Sequence, residues 1–217
     1  MIATPSRLLP SPEILWQSSL KEVLSGERAG ELSGPWRLLL LGDGSPTRHL
    51  EVLSGEPVRI ELIAMAADSC WEASATAAPP AECADLPGPL LRRQVWLCCG
   101  STTLAWAESW WNSTEAERHL RHREQPIWSS LTSDRAELFR EVDGLALVRA
   151  PWLQERLGGS GPLWSRHYRF FRAGRPLTVI REVFSPRLER WLGSAGPLPG
   201  NIGGGFVTER AKKDLTA

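Results

Sequence analysis

The chain has 217 residues, of which 42% are hydrophobic, and its 25 basic side chains balance its 25 acidic ones. This size and composition suit one domain with a substantial core. Zero net charge argues against a basic surface for nucleic acid or for an anionic membrane. The longest apolar run covers residues 38–41, which is far short of the roughly 20 residues that a membrane-spanning helix needs. We therefore expect neither a nucleic-acid partner nor a membrane span.

The N-terminal segment, residues 1–35, is predicted to form an arm followed by a helix. Prolines fall where a signal peptide would need its apolar stretch, so we expect a cytoplasmic protein. Residues 1–15 favour an irregular conformation, and residues 16–25 show a weak helical period that stops at Gly26. The apolar residues 36–41 fit either a helix or a buried strand, because periodicity alone does not separate the two.

A β-hairpin is predicted after the turn at residues 42–46. Residues 48–53 form its first strand and residues 57–65 its second, in which apolar and charged residues alternate. Residues 66–89 are rich in Ala, Pro, Asp and Glu, a composition typical of a long surface loop.

The middle of the chain predicts two more strands, residues 90–98 and residues 103–111, with a turn between them. The Asn-Ser-Thr sequence at residues 112–114 then caps a short helix. A second helix is predicted to begin at Ser133 and to end at Gly144.

The last hairpin is predicted at residues 162–171 and 177–184, and a glycine-rich tail at residues 193–217 is expected to be flexible. Antiparallel hairpins with helices inserted between them are typical of the α+β class. We therefore predict a single antiparallel β-sheet with helices packed on it, formed by residues 36–192.

Four cysteines, Cys70, Cys83, Cys98 and Cys99, occur without a CxxC motif. Adjacent strand residues point to opposite faces, so Cys98 and Cys99 do not readily share a metal ion. The histidines show no ligand spacing, and we expect no metal site. A disulfide between Cys70 and Cys83 is the less favoured alternative to free thiols.

Two charged residues stand within apolar stripes of predicted strands. Alternation puts Arg93 on one face with aliphatic residues, and it puts Glu182 on a face with Ile180 and Phe184. A buried charge needs an opposite charge or a polar cavity, so the pair indicates one buried polar site. Two alternatives stay open: a structural ion pair, or an alternation shifted by one residue that exposes both side chains.

Three segments resemble the chorismate pyruvate-lyase family. RRQVWLC and the following strand through AESWW are similar to the family's central strands, and GDGSPTRHLEVLSGEPVRIELI is similar to its first hairpin. PLWSRHYRFFRAGRPLTVIREVFSP resembles its last two strands. The resemblance runs from about residue 41 to residue 186 and is strongest to the cyanobacterial branch, whose product enters plastoquinone synthesis.

The resemblance implies a chorismate-lyase-like fold and a reaction without a cofactor. Chorismate loses its enolpyruvyl group as pyruvate, and the ring becomes 4-hydroxybenzoate. The resemblance implies that Arg93 binds the ring carboxylate, a role that suits a planar guanidinium. It implies that Glu182 forms a hydrogen bond with the ring hydroxyl, and both residues are candidate catalytic residues.

Backbone amides complete the family's carboxylate site, and the resemblance places one at Ile127. The other falls in the loop around Pro46, which has no N–H, so Ser45 or Thr47 takes its place. Two further arginines of the last hairpin, Arg166 and Arg169, are candidate contacts of the pyruvyl carboxylate, with surface strand charges as the alternative. The expected partners are chorismate and 4-hydroxybenzoate, and the expected oligomeric state is a monomer.

Two other functions remain in view. Effector domains of some bacterial repressors share the lyase-like fold and bind small molecules without turnover. They normally follow a winged helix-turn-helix, whereas only about forty residues precede the first predicted hairpin here. A structural protein in which Arg93 and Glu182 pair with each other is the third possibility.

Overall fold

The structure is a computed structural model that describes residues 7–25, 32–67, 79–120, 127, 131 and 138–199. Its centre is one antiparallel sheet of seven strands in the order β1-β5-β6-β7-β4-β3-β2. The strands are β1 (Glu13–Ser19), β2 (Val58–Ala67), β3 (Leu90–Cys99), β4 (Thr102–Asn112), β5 (Phe139–Arg149), β6 (Leu163–Arg172) and β7 (Arg175–Phe184).

Short helices connect and cover the strands. They are α1 (Leu20–Leu24), α2 (Gly34–Leu41), α3 (Pro46–Ser54), α4 (Ser113–His119), α5 (Pro151–Leu157) and α6 (Glu189–Leu192), with 3-10 turns at Ala81–Asp85 and Pro186–Leu188. The sequence sets the ends of α3 clearly. Ser45 caps its first turn, Pro46 opens it, and Gly55 ends it with a left-handed φ of 74°.

Both faces of the sheet are covered. On one face, α2 and α3 bury Trp36, Leu40 and Leu50 against the strands. On the other face, α5 buries Leu153 and Leu157 in a cluster that contains tryptophans of β3 and β4. A sheet covered on both sides lets alternate residues of one strand reach two separate buried environments.

The predicted α+β class with a single antiparallel sheet is confirmed. The four strands predicted over residues 90–98, 103–111, 162–171 and 177–184 are present within one or two residues of their expected ends. Residues 36–41 are helical, which resolves the open choice between helix and strand. The helix after Asn112 is also present, and the Asn112 side chain caps it by accepting from the amides of Thr114 and Glu115.

Three predictions of local structure are wrong. Residues 48–53 belong to helix α3 instead of a hairpin, because the Ser-Pro cap starts a helix there. Residues 139–142 belong to strand β5 instead of a helix, because pairing with β6 outweighs local helix propensity. The N-terminal arm is not irregular throughout and residues 16–19 are not helical, since β1 covers Glu13–Ser19 and pairs with β5, and the helix begins only at Leu20.

Several expectations fall on residues outside the described ranges. They include the mobility of residues 200–217, residues 68–78 of the predicted loop at residues 66–89, and the start of the predicted helix at Ser133. The described ends of that loop are the last residues of β2 and the 3-10 turn Ala81–Asp85. The division of the chain at residues 36 and 192 stays a prediction. Among the described helices, none has the length and apolar character needed to cross a membrane.

Candidate functional site

A cavity lies on the sheet face that carries α2 and α3. The space between its wall atoms is about 420 Å³, counting the mouth that opens to solvent. Apolar side chains of the strands form much of the wall, and a few polar groups converge on it. The described lining residues are Ser45, Pro46, Thr47, Ile60, Arg93, Val95, Leu97, Ala107, Ile127, Arg140, Tyr168, Phe170, Ile180 and Glu182.

Strand register places Arg93 and Glu182 on this face. Arg93 is opposite Ser109 of β4, which is opposite Ile180 of β7, so Glu182 lies two residues farther along β7. With strands about 4.8 Å apart and about 3.4 Å per residue, this offset separates the two Cα atoms by about 12 Å. Both residues line the cavity, and each is only 2% exposed. The alternative in which both face solvent is thereby excluded.

The Arg93 guanidinium is buried in a largely aliphatic wall. Burial lowers its pKa from the ordinary value of a guanidinium to about 10, because a charged group loses hydration there. The group is still a cation at neutral pH. A desolvated guanidinium on a cavity wall favours an anionic ligand, and its planar fork suits a carboxylate.

Glu182 is held by two neighbours from β6. Its Oε2 accepts a hydrogen bond from Nε of Arg166 at 2.8 Å, and its Oε1 accepts from the Tyr168 hydroxyl at 2.9 Å. Burial raises the pKa of Tyr168 far above its ordinary value, and the charge of Glu182 adds to this effect. Tyr168 therefore stays protonated and remains a donor to the carboxylate.

Arg166 has a different position from the one predicted. It is fully buried behind the cavity wall, where it pairs with Glu182 and donates to the carbonyl oxygens of Leu39 at 2.7 Å and Gly42 at 2.9 Å. It is absent from the described lining residues. Arg166 thus fixes the carboxylate and the connection between α2 and α3, whereas a direct substrate contact was expected.

The N-terminus of α3 opens onto the cavity. Ser45 and Thr47 both line it, and their hydroxyl oxygens are 2.8 Å apart. The Ser45 Oγ accepts from the amide of Arg48 at 3.5 Å, so the helix cap is satisfied by its own side chain. Pro46 offers no N–H, and the Thr47 amide is the next donor in the first turn. The positive end of the helix dipole favours an anion at this position.

A second arginine, Arg140 of β5, also lines the cavity. Its guanidinium carbon lies 4.9 Å from the ring centre of Tyr168 and 4.6 Å from that of Phe170. Its Nη1 donates to the carbonyl oxygen of Asp43 at 2.5 Å and also to that of Gly44. Arg140 was not predicted as a site residue, because residues 139–142 were expected to form a helix.

The structure does not bring Arg169 to the cavity. Residues of β6 alternate, so Arg169 projects from the face opposite to Tyr168. There its Nη2 lies 2.6 Å from Oδ1 of Asp143, and its Nη1 lies 3.2 Å from Oδ2 of Asp85. The predicted contact between Arg169 and a bound pyruvyl group is therefore corrected: these ion pairs lie on the other side of the sheet.

On that same opposite face, Glu82, Asp143 and His167 bring their ligand atoms within 4.8 Å of one another. This is the group of described residues with the spacing of a metal site. Arg169 donates three hydrogen bonds to Asp143, two from Nε and one from Nη2, which places a cation where a metal ion would need a carboxylate oxygen. Among the described residues, this group therefore gives no support for a metal centre.

Five of the predicted site residues meet at one cavity: Arg93, Glu182, Ser45, Thr47 and Ile127. A family model described as "Chorismate pyruvate-lyase Rv2949c-like" matches residues 40–192, a range that contains all of them. The chain belongs to this family. The match covers six of the seven strands, β2 to β7, together with α3 and the described residues of the cavity wall.

Two relatives in plastid genomes extend the comparison, and both are named "Uncharacterized protein ycf21". The protein of Cyanophora paradoxa is 28% identical over 177 residues, covering 80% of this chain and 89% of the relative. The protein of Porphyra purpurea is 30% identical over 167 residues, covering 76% of this chain and 88% of the relative.

A solved structure shares the fold of this Rv2949c-like chain. The effector domain of PhnF from Mycobacterium smegmatis superposes with a TM-score of 0.50 and 15% identity, covering 68% of this chain and 92% of that domain. At this identity the likeness concerns the fold alone.

Proposed function

We propose that the protein is a chorismate pyruvate-lyase that releases pyruvate and 4-hydroxybenzoate without a cofactor. The observation that carries the proposal is that Arg93 and Glu182, both buried, line one cavity from two different strands. The family match over residues 40–192 supports the same reaction. The remaining residues of the cavity are consistent with a flat, largely apolar ring between two polar ends.

The carboxylate end of the site is assigned to Arg93. Its guanidinium supplies a fork of N–H donors, and burial makes an anionic partner favourable. The first turn of α3 adds the Thr47 amide and the positive end of the helix dipole. We assign the other amide contact to Ile127, which lines the same cavity.

The hydroxyl end of the site is assigned to Glu182. An ionised carboxylate accepts about four hydrogen bonds, and Glu182 has one recorded donor on each oxygen, Arg166 and Tyr168. Capacity remains for the ring hydroxyl of chorismate. Because Arg166 and Tyr168 lock the carboxylate in place, the substrate meets a preorganised acceptor.

The overall reaction needs no oxidant, reductant or second substrate. The bond between the ring carbon and the enolpyruvyl oxygen breaks, and the carbon that bears the hydroxyl loses its hydrogen. The enolpyruvyl group gains that hydrogen as it becomes the methyl group of pyruvate, and the ring becomes aromatic. The protein's contribution is to hold the ring by both ends in an enclosed space so that a reactive conformer persists.

The direct test is to incubate the purified protein with chorismate and to measure pyruvate and 4-hydroxybenzoate. Glu182→Gln keeps the shape of the side chain and is expected to lower turnover at least tenfold, about 1.4 kcal/mol in the barrier. Glu108→Gln is the matched control, since Glu108 is also buried and bound to arginines, but on the opposite sheet face. Equal turnover in both variants would remove Glu182 from the mechanism.

A second candidate is a non-catalytic domain that binds an aromatic acid. The shared fold of the PhnF effector domain favours it. In that case 4-hydroxybenzoate and chorismate would bind at the same cavity, and no pyruvate would appear. Binding without turnover decides for this candidate, and turnover decides for the lyase.

The setting of the reaction is part of the proposal. Homologues in plastid genomes are consistent with 4-hydroxybenzoate as a precursor of a quinone, plastoquinone or ubiquinone. The buried thiols of Cys98 and Cys99 are consistent with a reducing cytoplasm. A monomer is the proposed catalytic unit.

A further inference from the structure

Ser45 and Thr47 form a pair of hydroxyl groups in the wall of the cavity. Their oxygens are 2.8 Å apart, and both residues line the cavity. Each hydroxyl carries one hydrogen that it can donate, and only one of the two hydrogens lies between the two oxygens. The remaining hydrogen bond of the pair comes from the Arg48 amide, which is itself a donor. Within the part of the chain that the structure describes, the second hydroxyl hydrogen therefore has no acceptor.

Either hydroxyl can supply this donor. If Thr47 donates to Ser45, the hydrogen of Ser45 is available to a ligand, and if Ser45 donates to Thr47, the hydrogen of Thr47 is available. Pro46, which opens α3 between them, fixes the φ angle at this point of the chain. The cavity wall therefore offers one neutral O–H donor that the two residues share.

Contacts through Arg166 place the hydroxyl pair beside the Glu182 end of the cavity. Arg166 donates from Nε to Oε2 of Glu182 at 2.8 Å and from Nη2 to the carbonyl oxygen of Gly44 at 3.4 Å. Gly44 directly precedes Ser45, so one guanidinium bridges the carboxylate and the residue before the pair. The Thr47 amide is the proposed contact of the ring carboxylate at the other end of the site. The hydroxyl pair therefore lies between the two ends.

Chorismate carries its ether oxygen between the same two ends. Its ring carboxylate and ring hydroxyl are on opposite carbons, and the enolpyruvyl ether oxygen is on the carbon next to the one that bears the hydroxyl. With the carboxylate at Arg93 and the hydroxyl at Glu182, the ether oxygen projects from the side of the ring. We infer that the hydroxyl pair of Ser45 and Thr47 donates a hydrogen bond to this ether oxygen. The inference rests on the proposed function and adds two catalytic residues to it.

The hydrogen bond to the ether oxygen strengthens as the reaction proceeds. The bond between the ring carbon and this oxygen breaks, and its electron pair stays with the oxygen, which becomes the keto oxygen of pyruvate. The enol double bond takes up the hydrogen from the hydroxyl-bearing ring carbon, and the electrons of that C–H bond complete the aromatic ring. Both hydroxyls keep their protons throughout. An oxygen that takes up the electron pair of a breaking bond is a better acceptor, so a fixed O–H donor lowers the barrier more than it tightens substrate binding.

The test measures the chemical step separately from binding. The variants are Ser45→Gly, Thr47→Val and the two combined, and glycine is chosen because it is also favourable at a helix N-cap. In the double variant, we expect the single-turnover rate constant for chorismate to fall about tenfold or more. In each single variant it should fall less than about threefold, because the remaining hydroxyl no longer has to donate to its neighbour.

The product serves as the binding control, since 4-hydroxybenzoate has no ether oxygen. We expect its Kd, from quenching of tryptophan fluorescence, to change by less than about threefold in all three variants. Ser54→Ala is the matched control variant. It removes a hydroxyl at the other end of α3, from a residue that is not among the described lining residues, and it should leave the rate constant and the Kd unchanged.

Three results would overturn the inference. An unchanged rate constant in the double variant means that the ether oxygen has no donor at the pair. If the double variant weakens 4-hydroxybenzoate as much as it slows the chemical step, the hydroxyls only support the first turn of α3. If one single variant loses as much as the double variant, the two hydroxyls do not share the role. All three require a wild-type protein that converts chorismate, so they leave the proposed function intact. A wild-type protein that does not convert chorismate removes the proposed function, and this inference with it.

Discussion

Arg166 and Glu182 are directly opposite each other on β6 and β7, and Nε of the arginine lies 2.8 Å from Oε2 of the carboxylate. Both side chains are almost fully buried, at 0% and 3% exposure. The pair therefore has no solvent to compensate either charge if the other is removed. Glu182, the candidate catalytic carboxylate, is therefore also expected to affect the stability of the fold.

Replacing Arg166 with Met is expected to lower the free energy of unfolding by about 3–5 kcal/mol, because Glu182 keeps its charge in a buried place. Urea denaturation of the purified variant measures this change. The control is Arg118→Met. Arg118 pairs with Glu115 while its own side chain is 64% exposed, so this substitution should lower the free energy of unfolding by at most about 1 kcal/mol. Similar losses in both variants would contradict a stabilising role for the buried pair.

Replacing Arg93 with Met should separate binding from stability. Burial disfavours the Arg93 charge, and its pKa falls to about 10, so the Tm with and without ligand is compared within each protein, which separates ligand binding from any change in the stability of the fold. The wild-type Tm should rise on saturation with 4-hydroxybenzoate, by an amount that corresponds to about 2.7 kcal/mol at 100 times Kd. In Arg93→Met this ligand-induced rise should vanish. If Arg93→Met unfolds more easily but its Tm still rises with 4-hydroxybenzoate, Arg93 does not bind the ring carboxylate.

The predictable part of the site lies on strands with regular alternation. Arg93 and Glu182 were found because each interrupts an apolar stripe on a strand that is itself clear from the sequence. In the structure, β3 pairs with β4 and β4 pairs with β7, and this pairing brings the two apolar stripes to the same face of the sheet. Alternation could not show that the opposite face is buried as well, with Arg92, Glu108 and Arg181 in an ion-pair network there.

The parts that the sequence did not predict depend on long-range pairing. Arg140 lies in a segment whose local composition favours a helix, and the segment becomes a strand because it pairs with β6, where Arg140 is opposite Phe170. Tyr168 carried a usable signal, since it alternates with Arg166 and Phe170 on β6. The partners of Arg166 at Leu39 and Gly42 come from more than 120 residues away in the chain, a separation that periodicity does not reach.

Tyr168→Phe tests the second donor to Glu182. Removing the hydroxyl leaves Oε1 of a buried carboxylate without the bond recorded at 2.9 Å, and we expect a loss of about 1–3 kcal/mol in unfolding free energy. We also expect lower turnover, since the carboxylate loses one of its two anchors. Thr178→Val is the control, because Thr178 Oγ1 donates to a neutral carbonyl at 2.8 Å, and its loss should cost about 1 kcal/mol. Unchanged stability and turnover in Tyr168→Phe would contradict this role.

His49 gives the fold a dependence on pH that can be isolated. Burial lowers the pKa of His49 from its ordinary value of 6.5, and the positive charges of Arg166 and Arg140 lower it further. Below pH 6.5 the unfolded chain therefore binds a proton at this residue more readily than the folded chain. Because the unfolded state then holds more protons, the free energy of unfolding falls as the pH falls through this range, and it is regained above it.

The measurement is urea denaturation of the wild type and of His49→Gln at about pH 7.5 and about pH 5.5. Other groups titrate in both proteins, so the informative quantity is the difference between them. We expect the wild type to lose more stability than His49→Gln on acidification, because glutamine takes up no proton beside the two arginines. An equal loss in the two proteins would mean that His49 is protonated as easily in the folded state as in the unfolded one.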